Sequence, residues 1–219
     1  MSSLKKQNWL KIALWLVGIT MAYNIIEALV AIWSGLVAGS IALLGFGLDS
    51  VIELAAASVL FWRLSKEKKG LSKEKIESID HRVHQFVGVT FLLLAFYVCF
   101  QVAWSLWKRE IPEESFVGII LAIASLIIMP LVAWGKIKAA NKINSVALRA
   151  EAKETIACSY LSFVLLLGLG ANAWAGWWWA DPFAALLMVP WLIKEGLEGL
   201  KGQECCPSGP SILPHPTRR

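Results

Sequence analysis

Long apolar runs constrain the fold of this chain more than any other feature of its sequence. Six stretches are apolar enough to cross a bilayer as helices, for which about 18 or more apolar residues suffice. Hydrophobic residues make up 57% of the 219 positions, whereas soluble domains average about 45–50%. The sequence therefore predicts an all-α polytopic membrane protein with six transmembrane helices and little room for a soluble domain.

The predicted helices follow one another with short connections. They cover approximately residues 10–36, 39–62, 83–107, 116–134, 146–170 and 182–200, with a charged loop over 63–82. We expect a cytoplasmic N-terminus over 1–9, a six-helix membrane domain over 10–200 and a disordered, proline-rich cytoplasmic tail over 201–219. The first apolar segment is long enough to span and shows no cleavage site, so a cleavable signal peptide is not expected.

Basic residues predict how the chain is oriented in the membrane. They concentrate before helix 1, between helices 2 and 3, between helices 4 and 5 (Lys136, Lys138, Lys142) and at the C-terminus. Only Lys108 and Arg109 fall on the opposite side. Cytoplasmic loops are enriched in Lys and Arg, so both termini are predicted to be cytoplasmic in a cell-membrane protein. This asymmetry also accounts for the net charge of +5, and a nucleic-acid partner is not expected.

Acidic residues inside the apolar stretches point to function, because charges within a bilayer are costly. Asp49 and Glu53 are four residues apart and share one face of helix 2. Two acids on one face repel each other unless a cation lies between them. Glu154 and Cys158 have the same spacing on helix 5, which runs in the opposite direction. The two pairs would meet as two rungs near the midplane, and together they could supply the four ligands of a tetrahedral metal site.

Other polar residues leave alternatives open. Asn24 and Glu27 on helix 1 suit an interhelical hydrogen bond as well as a role in transport. Lys153 could pair with Glu27 or Glu53 and hold the bundle together, and Cys158 could be a small buried apolar residue.

Two further clusters are weaker candidates for metal binding. One is Asp80, His81 and His84 before helix 3, where a solvated loop-to-helix boundary is the better explanation. The other is Cys205, Cys206 and His215 on the tail, where adjacent cysteines without more ligands make a poor zinc site.

Four segments resemble the cation diffusion facilitator family. AGSIALLGFGLDSVIELAAA is similar to its second helix, ALRAEAKETIACSYLS to its fifth, WWADPFAALLMVPWLIKEG to its sixth and YNIIEALVAIWSG to its first. The resemblance implies a six-helix metal/proton antiporter, usually a homodimer, that expels divalent cations from the cytoplasm and holds no permanent cofactor. The ligands it implies are Asp49, Glu53, Glu154 and Cys158.

The sequence departs from the family pattern at two places. Helix 5 of the family usually presents His or Asp followed by Asp, whereas Glu154 and Cys158 stand there in this chain. Carboxylates suit Mn²⁺ or Fe²⁺, and the thiol favours Zn²⁺, Co²⁺ or Cd²⁺, so the donors leave the metal open. The expected substrate is Zn²⁺, with the other four metals as alternatives. Family members usually carry a cytoplasmic ferredoxin-like domain after helix 6, and a short form without that domain is expected here.

Two other classes of function are alternatives to transport. A non-transporting membrane scaffold or metal-binding subunit would bury the same helices without needing two aligned acidic rungs. No Ser/His or HExxH constellation lies within a span, so an enzyme is not expected.

Overall fold

The computed structural model describes residues 3–68, 73–108 and 112–201, and every regular element among them is an α-helix. This confirms the predicted all-α fold. The helices are α1 (Ser3–Ala38), α2 (Ile41–Lys68), α3 (Lys73–Lys108), α4 (Phe116–Ile143), α5 (Val146–Ala175) and α6 (Ala180–Lys201). Within the described residues, the first five are long and apolar enough to cross a membrane, which makes the chain a polytopic membrane protein.

The helices form a bundle in which α2 and α5 are interior elements. α2 packs against α1, α3, α5 and α6, while α5 packs against α4, α6 and α2. The largest core cluster draws on all six helices and includes Phe46, Val98 and Leu165. Other large apolar side chains, such as Trp33 and Leu93, point away from the protein. A surface of this kind suits contact with lipid, since apolar patches of this extent are rare on soluble monomers.

The turn between α1 and α2 is tied to α6. Gly39 takes a left-handed conformation with φ 65°, which glycine adopts without strain. The Asp181 carboxylate, at the start of α6, accepts hydrogen bonds from the backbone N–H of Ile41 at 2.8 Å and from the Ser40 hydroxyl. Because the first N–H groups of a helix have no partner within that helix, Asp181 serves as a cap for α2 from a distant part of the chain.

Serine caps begin both α4 and α5, and one left-handed residue forms the turn between the two helices. Ser115 accepts from the Gly118 N–H at 3.1 Å, and Ser145 accepts from the Leu148 N–H at 3.3 Å. Asn144, with φ 56°, ends α4 in the left-handed conformation that Asn tolerates. α4 and α5 therefore pack as an antiparallel pair.

Two glycines allow α1 and α2 to approach closely. A Cβ added at Gly47 would lie 2.9 Å from the Ile32 nitrogen, and one added at Gly35 would lie 2.9 Å from the Leu44 nitrogen. These distances are too short for any side chain. The close approach brings the polar residues of α1 next to those of α2.

The helices are longer than predicted on the side where the charged segments lie. α1 begins at Ser3, α2 continues to Lys68, α3 begins at Lys73 and α4 continues to Ile143, so the predicted loops at 63–82 and 135–145 are wrong over most of their length. Lys and Glu have high helix propensity, and a helix need not end where its apolar stretch ends. Asp80, His81 and His84 lie within α3, and their side chains are outside the described part of the structure. The predicted tail with Cys205, Cys206 and His215 also lies outside the described residues.

Candidate metal centre

A buried carboxylate on α1 joins four helices. Glu27 is 0% exposed, and its two oxygens accept hydrogen bonds from Ser50 of α2, at 2.9 Å, and from Ser125 of α4. The Cys158 Sγ of α5 lies 3.9 Å from the Glu27 Oε2. The Tyr23 hydroxyl lies 2.6 Å from the Ser125 Oγ and extends the network. The interhelical hydrogen bond that the sequence left open for Glu27 is confirmed.

The two acids of α2 are buried beside this network. Asp49 and Glu53 are 6% and 4% exposed, and they interact electrostatically with each other and with Glu27. Both oxygens of Glu53 lack a hydrogen-bond partner within the described part of the chain. Asn24 lies beside Glu53 but outside hydrogen-bonding geometry. Burying a carboxyl without a partner is costly, so this position suits a cation.

Cys158 lies among the acids of α1 and α2. Its side chain is 1% exposed and interacts electrostatically with Glu27 most strongly, then with Glu53 and Asp49. The thiol and the three acids are thus all buried inside the bundle and interact electrostatically, and the contact between Cys158 and Glu27 is direct. The sequence placed Asp49, Glu53 and Cys158 together and left Glu27 open.

Glu154 occupies a different neighbourhood. It is half-buried, and it interacts most strongly with Glu151 of α5 and Glu195 of α6, and less with Glu53. No group of three or more His, Cys, Asp or Glu side chains among the described residues lies at metal-holding distances. The structure therefore packs α2 against α5 without drawing Asp49, Glu53, Glu154 and Cys158 into one coordination shell.

A buried ion pair joins α4 to α5 nearby. The Lys136 ammonium lies 2.6 Å from the Glu151 Oε1 and donates to the Thr155 hydroxyl at 2.9 Å. Lys136 is 0% exposed and interacts electrostatically with Glu53. Lys153, which the sequence suggested as a partner for Glu27 or Glu53, is exposed and interacts with Glu195 instead.

The prediction of a cytoplasmic loop at Lys136 is wrong, because this residue lies within α4 and is buried. A signal for its burial was present in the sequence. Lys136 continues the buried series Ser125, Met129 and Ala133 along α4 at the spacing of a helix face.

A bundle of long apolar helices that buries acids and a thiol defines a class of protein, the polytopic membrane proteins with ionisable groups inside their spans. The chain matches the cation efflux transmembrane domain over residues 17–202. It belongs to the cation efflux family, which confirms the resemblance to the cation diffusion facilitators.

Three relatives place this membership in context. The chain is 27% identical over 184 residues to an uncharacterized transporter of Synechocystis sp., covering 78% of this chain and 59% of the relative. It is 26% identical over 161 residues to Transmembrane protein 163 of Xenopus laevis, covering 74% and 56%. It is also 26% identical over 184 residues to a cadmium, cobalt and zinc/H⁺-K⁺ antiporter of Bacillus velezensis, covering 80% and 55%. The chain thus spans less than two thirds of the length of each relative.

Proposed function

We propose that this chain is a proton-coupled antiporter that exports divalent transition-metal cations from the cytoplasm. Zn²⁺ is the favoured substrate, and Fe²⁺, Mn²⁺, Co²⁺ and Cd²⁺ are further candidates. The observation that carries the proposal is the buried face of α2, where Asp49 and Glu53 interact electrostatically with Cys158 and both Glu53 oxygens lack a hydrogen-bond partner within the described residues. Family membership and the metals named for the Bacillus velezensis relative support it.

The proposed ligands are Asp49, Glu53, Glu154 and Cys158, in a site between α2 and α5. Because Glu154 is now half-buried beside Glu151 and Glu195, its arrival at the ion would require a rearrangement of side chains or a small shift of α5. A transporter must offer its site to both sides of the membrane in turn, so more than one arrangement of the ligands is expected.

The proposed topology has six spans, with both termini in the cytoplasm of a cell-membrane protein. α6 has 22 residues, or about 33 Å at about 1.5 Å per residue, which matches a hydrocarbon core of about 30 Å. Its apolar stretch is short because Lys194, Glu195 and Glu198 occupy the last turns. Packing of α6 along α3 and α5 supports a crossing beside them.

Competition at one set of donors would couple metal to protons. Desolvation and repulsion between like charges both disfavour ionised carboxyls in an empty buried site, so the empty site would hold protons. A divalent ion needs deprotonated donors, and its binding would release those protons. If both forms change access across the membrane, an inward proton gradient drives metal outward.

The test is metal flux into proteoliposomes, measured across a panel of metals with an imposed pH gradient at clamped voltage. We expect Zn²⁺ flux to follow the gradient, and Asp49→Ala and Glu53→Ala to abolish it in folded protein. Glu198→Gln, which removes an exposed acid of α6, is the matched control and should transport normally. Flux of no metal would favour the scaffold alternative, and wild-type flux in both α2 variants would contradict the site.

A further inference from the structure

We propose that Glu27 of α1 is itself a ligand of the transported ion, which it binds together with Cys158. This inference rests on the proposed function and extends the site from two helices to three. It concerns a residue for which an interhelical hydrogen bond alone would be the simpler explanation.

The distance between the two donor atoms suits a shared ion. Zn²⁺ lies about 2.3 Å from a thiolate sulfur and about 2.0 Å from a carboxylate oxygen. These bond lengths place the two donors about 3.5 Å apart at a tetrahedral angle and about 4.3 Å apart when they are opposite each other. The Cys158 Sγ and Glu27 Oε2 are 3.9 Å apart, so an ion could bridge them without movement of the backbone.

The hydrogen bonds of Glu27 hold its carboxylate in place for this task. Ser125 donates to Oε1, while Ser50 donates to Oε2, the oxygen that also lies next to Cys158. A carboxylate oxygen has two lone pairs, so Oε2 can accept from Ser50 and still bind an ion. Ligating carboxylates are commonly oriented by such outer hydrogen bonds.

Glu53 provides a second, independent observation. It is 4% exposed, neither of its oxygens has a hydrogen-bond partner within the described residues, and it interacts electrostatically with both Glu27 and Cys158. An ion between Glu27 and Cys158 would add to the attraction that Lys136 already exerts on this buried carboxyl. Tying helices together would not require a charge at Glu27, because a neutral amide can also accept from serine hydroxyls at a lower cost of burial.

The experiment compares metal binding by wild type, Glu27→Gln, Glu27→Asp and Ser125→Ala, each purified in nanodiscs. Glu27→Gln keeps the size of the side chain and one acceptor but loses the charge. We expect it to weaken Cd²⁺ binding by at least about tenfold, the lower end of the effect seen for residues around metal ligands. Glu27→Asp, which keeps the carboxylate, should retain more affinity, and Ser125→Ala should weaken binding less than Glu27→Gln.

Bound Co²⁺ gives a readout that a purely structural role would not change. Its visible absorption reports the coordinated donors, so the spectrum should differ in Glu27→Gln and match wild type in Ser125→Ala. A double variant with Cys158→Ser should show non-additive losses, because both side chains would bind the same ion.

Three results would overturn the inference: wild-type Cd²⁺ affinity in folded Glu27→Gln, an unchanged Co²⁺ spectrum, or strictly additive losses in the double variant. Failure of the proposed function looks different, since wild-type protein would then bind Cd²⁺ with the dependence on Glu27 described above but would not transport it into proteoliposomes. Absence of Cd²⁺ binding by the wild type would overturn both.

Discussion

At the scale of single residues, two free thiols allow a direct test of the candidate centre. Cys158 is buried among acids, whereas Cys99 is exposed on α3. Cys158→Ser should weaken Zn²⁺ and Cd²⁺ more than Mn²⁺, because only the softer metals lose a preferred donor. Competition binding in nanodiscs measures the order of affinities, with Cys99→Ser as the matched control. An equal loss for every metal, or none, would identify Cys158 as a packing residue.

The buried ion pair of α4 and α5 gives a second prediction at the scale of residues. Lys136→Met should destabilise the folded protein by about 3–5 kcal/mol, because it leaves the Glu151 charge buried without its partner. Met at both positions should recover most of that loss, since two apolar side chains need no compensation. Unfolding in a mild detergent measures the difference.

The control for that prediction is an exposed pair. Lys194 lies 4.0 Å from Glu198, and both side chains are about half exposed. Lys194→Met should change stability little, because exposed ion pairs contribute only about 0–1 kcal/mol. Equal effects of the two lysine substitutions would show that burial of Lys136 does not matter to the fold.

Sequence predicted which residue types are buried, but it could not predict their partners. The acids of α2 can be recognised from the sequence, because a charge within an apolar run is apparent without knowledge of the fold. The contacts of Glu27 with Ser50 and Ser125 depend on which helices touch, and sequence spacing within a single helix carries no such information. Asp181 was missed for the same reason, since the N–H groups that it caps lie in another helix.

At the scale of elements, the approach of α1 to α2 is open to a matched test. An added Cβ at Gly47 would meet the Ile32 backbone at 2.9 Å, whereas one at Gly45 would meet only side-chain atoms, the nearest at 3.4 Å. Gly47→Ala should therefore separate the helices and cost about 1–3 kcal/mol, as overpacking does. Gly45→Ala should be tolerated.

Metal flux should also respond to a separation of α1 from α2. Because Glu27 and Ser50 lie on the two separated helices, Gly47→Ala should also lower metal flux, while Gly45→Ala should not. Thermal unfolding and proteoliposome flux measure the two effects. Equal behaviour of both variants would contradict a role for close α1–α2 packing in holding the site.

The ends of the helices are the part of the fold that the sequence predicted least well. The apolar stretches gave the number and order of the helices, because hydrophobic length is set by the bilayer. The sequence predicts loops at the charged ends of α1, α2, α3 and α4, yet these ends remain helical beyond the apolar stretches. Charge marks where a helix leaves the apolar environment, and a helix ends only where a cap or breaker stops it, as at Asn144.

At the scale of the whole molecule, we expect two copies of the chain to associate in the membrane. The family resemblance motivates this prediction, and large apolar side chains on the outer faces of the helices offer contact area. Mass measurement in nanodiscs should give a dimer that persists when protein is diluted with excess lipid, which controls for chance occupancy. Only monomer under all loading ratios would contradict it.

The last prediction concerns proton release by the assembled protein. Glu27, Asp49, Glu53 and Cys158 are buried and interact electrostatically, and four negative charges so arranged would be prohibitive without a cation. Metal binding must therefore displace protons, so calorimetry in buffers of different ionisation enthalpy should give apparent enthalpies that vary with the buffer. Protons and metal compete for the same donors, so apparent affinity should rise as pH rises and fall as pH falls.

Asp49→Asn, which removes one proton-binding group, should release fewer protons, while Glu198→Gln should match wild type. Binding enthalpies that do not depend on the buffer, together with flux that ignores the pH gradient, would show that the metal moves without proton exchange.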